Sequence, residues 1–258
     1  MRTFCMVAVK ASPCTCGVKK KQPARPNFAD PVPRMPLAVA VCLTHVTTPR
    51  MPHWNWPALI VALLVAAYWA RVLKMVRKAR RSAGHAANFV PPEPLGRMLR
   101  WVWIPVVGLW IVLPLAASFV RGPAWLRPLW SWPLIAWVAV AMAVAAFAAT
   151  WVCWKKMGTA WRMGIDPADK TQLVCTGPYA FVRHPIYALS SLLMLLTMVI
   201  WPSPAMLAVG VVHLLLLQWE AQREERHLLD VHGQEYREYR RRTGRFVPRS
   251  LHPYRPQH

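Results

Sequence analysis

Two stretches of the sequence concentrate the groups capable of chemistry, and a long uncharged run separates them. The first is LVCTGPYAFVRHPIY, residues 173–187, and the second is EAQREERHLLDVHGQEYREYRRRTGRFVP, residues 220–248. In the first, Gly177 and Pro178 give a turn, and His184 precedes Pro185, whose fixed φ suits the first turn of a helix. Arg183 and His184 therefore stand at a helix entry, where free backbone N–H groups and the positive dipole end favour an anionic group such as an amino-acid carboxylate. The purely structural account makes Arg183 a charge anchor and His184 a helix cap. In the second stretch, a helix places Glu220 and Glu224 one turn apart on one face, with His227 below, His213 two turns above, and Glu225 about 100° round. Carboxylates beside a membrane can bind an ammonium, accept hydrogen bonds from ribose hydroxyls, or balance a sulfonium. The competing account pairs them with Arg223 and Arg226 as surface ion pairs.

The uncharged runs identify the elements that must position these groups. A helix needs about 20 apolar residues to cross roughly 30 Å of hydrocarbon, which residues 54–70, 101–120 and 128–154 supply or nearly supply. Residues 185–219 are too long for one crossing and are broken by WPSP at 201–204, where two prolines stop a helix. This predicts a helical hairpin whose second arm continues into the polar stretch. The expected fold is an all-α integral membrane protein with about five transmembrane helices, the last two a hairpin, and a cytoplasmic helical tail.

Charge follows the same count. Arg71, Lys74, Arg77, Lys78, Arg80, Arg81, Arg97 and Arg100 fall between the first and second runs, and only Arg121 and Arg127 in the next gap. Lys155, Lys156, Arg162, Lys170 and Arg183 follow the third run, the hairpin turn has none, and the tail is rich in Arg. Alternating positive charge puts the first and third loops and the C-terminal tail in the cytoplasm. With 55% hydrophobic residues and a net charge of +22, the basic excess flanks spans rather than forming a nucleic-acid surface, so no nucleic-acid partner is expected. Trp101, Trp103, Trp125, Trp130, Trp132, Trp151, Trp154 and Trp201 fall near run ends, where indoles anchor at the interface. Cys14 and Cys16 lack a second ligand pair, so neither a metal site nor a disulfide pattern is expected.

Residues 1–50 are Pro-rich and aperiodic, an extension outside the fold, and MPHWNWPALIVALLVAAYWA reads as a natural start at Met51. The expected division is therefore 1–50 as extension, 51–160 as three spans, and 161–258 as the motif region with hairpin and tail. Mass spectrometry of the native protein is expected to find no peptides from residues 1–34.

Together, an LV-x-x-GPY stretch, RHPIY, an interrupted apolar hairpin and EERHLLDVHGQEYREYRRRTGRF resemble, in order and composition, the superfamily of isoprenylcysteine carboxyl methyltransferases and phospholipid methyltransferases. The resemblance covers residues 161–248 and implies S-adenosylmethionine bound near the cytoplasmic membrane boundary, with a lipophilic or lipidated substrate reaching it from the bilayer. It implies that Thr171, Gln172, Leu173, Val174 and Tyr179 line the cofactor, that Arg183, His184, Pro185, Ile186 and Tyr187 cradle it, and that Glu224 with Glu225 completes the pocket. Gly233, Tyr236, Tyr239 and Arg245 are implied to be structural. Where the family often has Gly two residues after the RHPxY tyrosine, this chain has Leu189, followed by Ser190 and Ser191. Carboxyl methyltransferases tend to carry Arg one turn before the cofactor glutamate; here that place holds Glu220, so either the acid favours a cationic or amine substrate or Arg223 substitutes, and these two are the substrate-binding candidates.

Methyl transfer needs orientation and exclusion of water more than acid–base groups. A carboxylate acceptor with a pKa near 3.5 needs no base, whereas an ammonium must first lose a proton, which Glu220 or His227 can take. No residue is therefore assigned as the chemical catalyst. The alternatives are a phospholipid or amine N-methyltransferase, an NADPH-dependent reductase of isoprenoids or sterols, whose relatives share a similar RHP and EE tail, and a non-enzymatic membrane protein.

Overall fold

The computed structural model describes residues 55–83, 94–119, 122–158 and 173–255. The expectations placed on residues 1–50, on a start at Met51, and on Thr171 and Gln172 lie outside the described residues. The described chain is helical: α1 Trp56–Ala83, α2 Pro94–Phe119, α3 Pro133–Met157, α4 Pro185–Ile200 and α5 Pro204–Arg242, with short 3₁₀ turns at Ala124–Leu126 and Gly177–Ala180. α1, α2, α3 and α5 are long and apolar enough to cross a membrane, and α4 is a shorter apolar helix. The all-α fold with a terminal hairpin is thus as the hydropathy predicts.

Proline sets where these helices begin. Pro94, Pro133, Pro185 and Pro204 each open a helix, the position where a missing N–H costs nothing and φ is already helical. The third span consequently starts at Pro133 rather than at 128. WPSP breaks the hairpin as expected, and the Ser203 side chain caps α5 by accepting from the Met206 N–H at 3.2 Å. α1 runs 13 residues beyond the expected end at 70, because Arg71, Lys74, Arg77 and Lys78 are good helix formers whose long stems can carry charge away from apolar surroundings.

α3 packs on α4, α1 on α2, and α5 on both α2 and α4. Val61, Val65 and Tyr68 of α1, Trp110 of α2, Ala143 of α3, and Met194 and Met206 of the hairpin form one buried core. Some polar side chains in the spans pair across helices, since hydrocarbon offers no partner. The Trp110 indole donates to Thr197 Oγ1 at 3.0 Å, Thr197 donates onward to the Leu193 carbonyl at 2.8 Å, and Ser190 Oγ lies 3.3 Å from His213 Nε2. Gly210 of α5 lets the Met198 side chain of α4 lie directly against its backbone, and a larger residue there would push that side chain aside.

Of the eight indoles expected at the interface, Trp101, Trp125, Trp130, Trp132 and Trp151 are exposed, Trp103 is half-buried against the core, and Trp154 and Trp201 are buried. Trp154 packs on Tyr68 at 5.0 Å between ring centroids, and the Trp201 N–H donates to the Leu126 carbonyl at 3.1 Å. For these two, helix packing replaces the expected membrane interface.

α5 leaves its apolar stretch at Trp219 and continues to Arg242, broken at Gly233 with φ 53° and ψ −116°. Only glycine takes this conformation without strain. The break turns the chain so that Tyr236 and Tyr239 pack with Cys175 and Tyr254 in a second buried cluster, with Leu173 against it. Replacing Gly233 by Ala should cost about 1–3 kcal/mol of backbone strain, with no clash because a Cβ there meets nothing within 4 Å. Hydrogen exchange should accelerate over residues 234–242 and remain unchanged in α3.

Candidate functional site

The hairpin carries residues 183–187 and 220–225 on the same end, and the chain after α5 closes over them. Val182 forms a parallel bridge with Gly244, and the N–H groups of Arg183 and His184 donate to the carbonyls of Gly244 and Arg245 at 2.9 and 3.1 Å. This strand-like contact aligns the tail against the entry to α4. Tyr239 reinforces it by donating to the Tyr179 carbonyl at 2.6 Å.

Glu225 lies at the centre of this closure. One carboxylate oxygen accepts from Arg183 Nε at 3.1 Å and Arg245 Nε at 2.9 Å, while the other accepts from Arg245 Nη2 at 2.8 Å. Arg183 also donates to the carbonyls of Arg240, at 3.2 Å, and Thr243. The guanidinium is therefore committed to Glu225 and the tail, a tighter role than a charge anchor.

Glu224 faces a different direction, as one residue of helix rotation requires. Its carboxylate accepts from the Tyr187 hydroxyl and lies 3.4 Å from His184 Nδ1. Its side chain is 25% exposed against 3% for Glu225, so of the two acids Glu224 can be reached from outside. His184 Nε2 lies 3.4 Å from Glu225, close enough for charge attraction but without hydrogen-bond alignment. The His184 ring stacks parallel to Tyr187 at 5.5 Å, with Phe246 edge-on at 6.3 Å. His184 occupies the cap position of α4, yet its side chain makes no capping hydrogen bond; it turns to the acids instead.

The other expected site residues are dispersed around this group. Glu220 is buried and bound to Arg223 at 2.5 Å, an ion pair three residues apart, so the pairing account holds here but inside the protein rather than on its surface. Pro185 is buried and Ile186 packs against the main core. Leu173 belongs to the tyrosine cluster, Val174 is half-buried, and the Tyr179 hydroxyl points to Met157 Sδ at 3.3 Å. Arg100 escaped the sequence reading because the second span was expected to start at residue 101. In the structure it lies on α2, buried, with its guanidinium over the Trp103 ring at 4.9 Å from the centroid.

Burial opposes charge on His184, but Glu224 and Glu225 more than offset it and raise the imidazole above its ordinary 6.5. Burial also opposes ionisation of Glu225, yet Arg245, His184 and Arg183 hold it well below the usual carboxylate range. The protonated imidazole stabilises the fold below 6.5, and this contribution disappears as pH rises through its raised value. The ionised Glu225 stabilises above 4.5, and this disappears as pH falls towards its lowered value. Resistance of the tail to proteolysis beyond residue 242 should therefore peak between about pH 4.5 and 6.5. His184→Gln should flatten the alkaline limb, and Glu225→Gln the acid limb. Glu225→Gln also leaves Arg183 buried without its counter-ion and should cost roughly 3–5 kcal/mol.

Residues 134–235 match the family model for phospholipid methyltransferase. No curated protein matches the chain. The match takes in nearly all of α3, which the motifs did not reach, together with both arms of the hairpin, and ends just past Gly233; α1, α2 and the closing tail lie outside it. Residues 134–235 are thus similar to phospholipid methyltransferases over about two fifths of the chain, a stretch that contains RHPIY and the adjacent Glu224 and Glu225.

Proposed function

We propose that the protein transfers a methyl group from S-adenosylmethionine to a carboxylate or another nucleophilic group of a lipophilic substrate held in the bilayer. The observation that carries this reading is the accessible carboxylate of Glu224, held by Tyr187 and His184 where the hairpin arms meet. The donor set fits such a cofactor: a reachable carboxylate for hydroxyls or an ammonium, beside the stacked rings of His184 and Tyr187. When bound, S-adenosylmethionine supplies a methyl carbon already activated by its sulfonium.

The roles divide accordingly. Glu224 binds, and Tyr187 with His184 fixes the rotamer in which it does so. Arg183 and Glu225, assigned to the cofactor with the rest of the RHPIY and EE segments, position the tail that excludes water; Leu173, Val174 and Tyr179 provide the wall, with Thr171 and Gln172 preceding it in sequence. Glu220 sits one turn deeper on α5, paired with Arg223, on the substrate side. The basic ends of α1 and α3 and the Arg-rich end of α5 favour a cytoplasmic site.

Purified protein in detergent should retain methyl-labelled S-adenosylmethionine and, given a membrane lipid extract, should pass label to a lipid. A base-labile label identifies an ester, and a stable one an amine. Glu224→Gln should weaken cofactor retention roughly tenfold or more, the range of a charge-assisted hydrogen bond. Retention of labelled nicotinamide dinucleotide in place of S-adenosylmethionine would overturn the reading in favour of a reductase.

A further inference from the structure

We propose that Val247, Arg249 and Leu251 of the tail, with the arginines at the end of α5, form a docking surface for the anionic headgroup layer of the membrane. The proposal rests on the apolar helices and not on the methyltransferase reading.

Exposed apolar side chains mark the place. Leu251 is 88% and Val247 74% exposed. Among the described residues, every other exposed large apolar side chain belongs to one of the five helices or to the α2–α3 connection, where hydrocarbon or the membrane interface covers it. Val247 and Leu251 belong to neither. The segment that bears them is nevertheless fixed at both ends. Gly244 and Arg245 accept from the Arg183 and His184 N–H groups, and the Tyr254 N–H donates to the Ala180 carbonyl at 2.9 Å. Tyr254 is buried against Tyr239, with ring centroids 5.2 Å apart. At Gly244 the chain turns so sharply that a Cβ would collide with the Val247 carbonyl. The chain between these anchors is thus held with Val247 and Leu251 turned outward.

The anchors also set the level of this surface. Arg183 and His184 immediately precede Pro185, where the apolar α4 begins. At about 1.5 Å per residue, the tail is attached within about 3 Å, along the helix axis, of the point where hydrocarbon gives way to headgroups.

Charge selects the partner. Between residues 236 and 255 the sole acid is Glu238, and Arg242 pairs with it at 3.2 Å. Arg245 is committed to Glu225. Arg237, Arg240 and Arg241 are exposed, three and four residues apart on one helix face, turned away from the buried Tyr236 and Tyr239; only Arg240 approaches an acid, at 4.0 Å from Glu225. The Arg249 guanidinium donates to the Arg241 carbonyl at 3.2 Å, which puts it at the end of this stripe and, in sequence, between the two apolar side chains. Apolar groups that can enter below headgroups, interleaved with guanidiniums that can bind phosphates, match an anionic leaflet. A soluble anion would leave Val247 and Leu251 uncovered, and a second copy would bring the same positive charge to the contact. Lipid charge therefore acts on the segment that closes over Glu225.

The test uses the full chain, one copy per nanodisc, in phosphatidylcholine with or without phosphatidylglycerol. Each disc includes a phosphatidylcholine with a diazirine high in one acyl chain. Hydrogen exchange over residues 243–255 and the crosslinked peptides are read by mass spectrometry. Phosphatidylglycerol should slow exchange there roughly fivefold or more, the contribution of one arginine at an anionic leaflet. It should leave α3 unchanged and bring crosslinks to residues 246–251, and the slowing should fade as salt is raised. Arg241→Gln with Arg249→Gln should erase the lipid dependence, the paired Lys variants should keep it, and Val247→Ser with Leu251→Ser should remove the crosslinks. All four side chains are exposed, and unchanged exchange in α3 verifies that each variant is folded. Equal exchange in the two lipids, slowing that survives the paired Gln variants, or crosslinks confined to the apolar helices overturns the proposal. So does slowing reproduced by inorganic phosphate in phosphatidylcholine discs, which marks a soluble-anion site, or slowing seen only with two copies per disc, which marks self-association. None of these readouts involves a methyl donor, so failure of the docking surface leaves the methyltransferase reading standing, and the reverse holds equally.

Discussion

A buried carboxylate must be neutralised or it will not remain buried, and in this protein Glu225 imposes that requirement on three separate parts of the chain. Arg183 answers it from the entry to α4, Arg245 from the segment beyond α5, and His184 adds charge from the side. Because these groups come from positions far apart in sequence, satisfying one acid fixes the end of the hairpin and the path of the tail together. The backbone bonds from Arg183 and His184 to Gly244 and Arg245 then become geometrically available.

That arrangement explains why two adjacent glutamates do different work. A single step along the helix rotates the side chain by about 100°, so Glu225 points into the closure while Glu224 reaches the accessible side. Tyr187, one turn of α4 beyond His184, meets Glu224 there. The stacking of His184 on Tyr187 couples the two acids through one pair of rings. The accessible acid is thereby oriented by groups that the buried acid helps to hold.

Deeper along the hairpin the polar contacts become sparse and specific. Ser190 meets His213, and Thr197 meets Trp110, each pairing separate helices where water is not available to compete. Gly210 permits the arms to close around these contacts. The bundle therefore tapers from a charged end, where most ion pairs lie, to an apolar body held by shape and by a few hydrogen bonds.

The helices, the hairpin and its break at WPSP were legible because hydropathy and proline stereochemistry act on local sequence alone. So was the grouping of RHPIY with the EE segment, since an antiparallel hairpin must return its ends to the same side. The lengths of α1 and α2 were less legible: charged residues continue a helix as readily as they end a span, and for that reason Arg100 was placed in a loop. The burial of Trp154 and Trp201 was also hidden, because an indole near a run end has the same sequence signature whether it meets lipid headgroups or another helix. Sequence by itself thus determined which runs are apolar helices and which segments must meet at one end of the hairpin. Only the tertiary structure decided that Arg183 serves Glu225 and the tail, and that Glu224 is the reachable acid. Those outcomes depend on helix rotation and on contacts between distant residues, which no local pattern encodes.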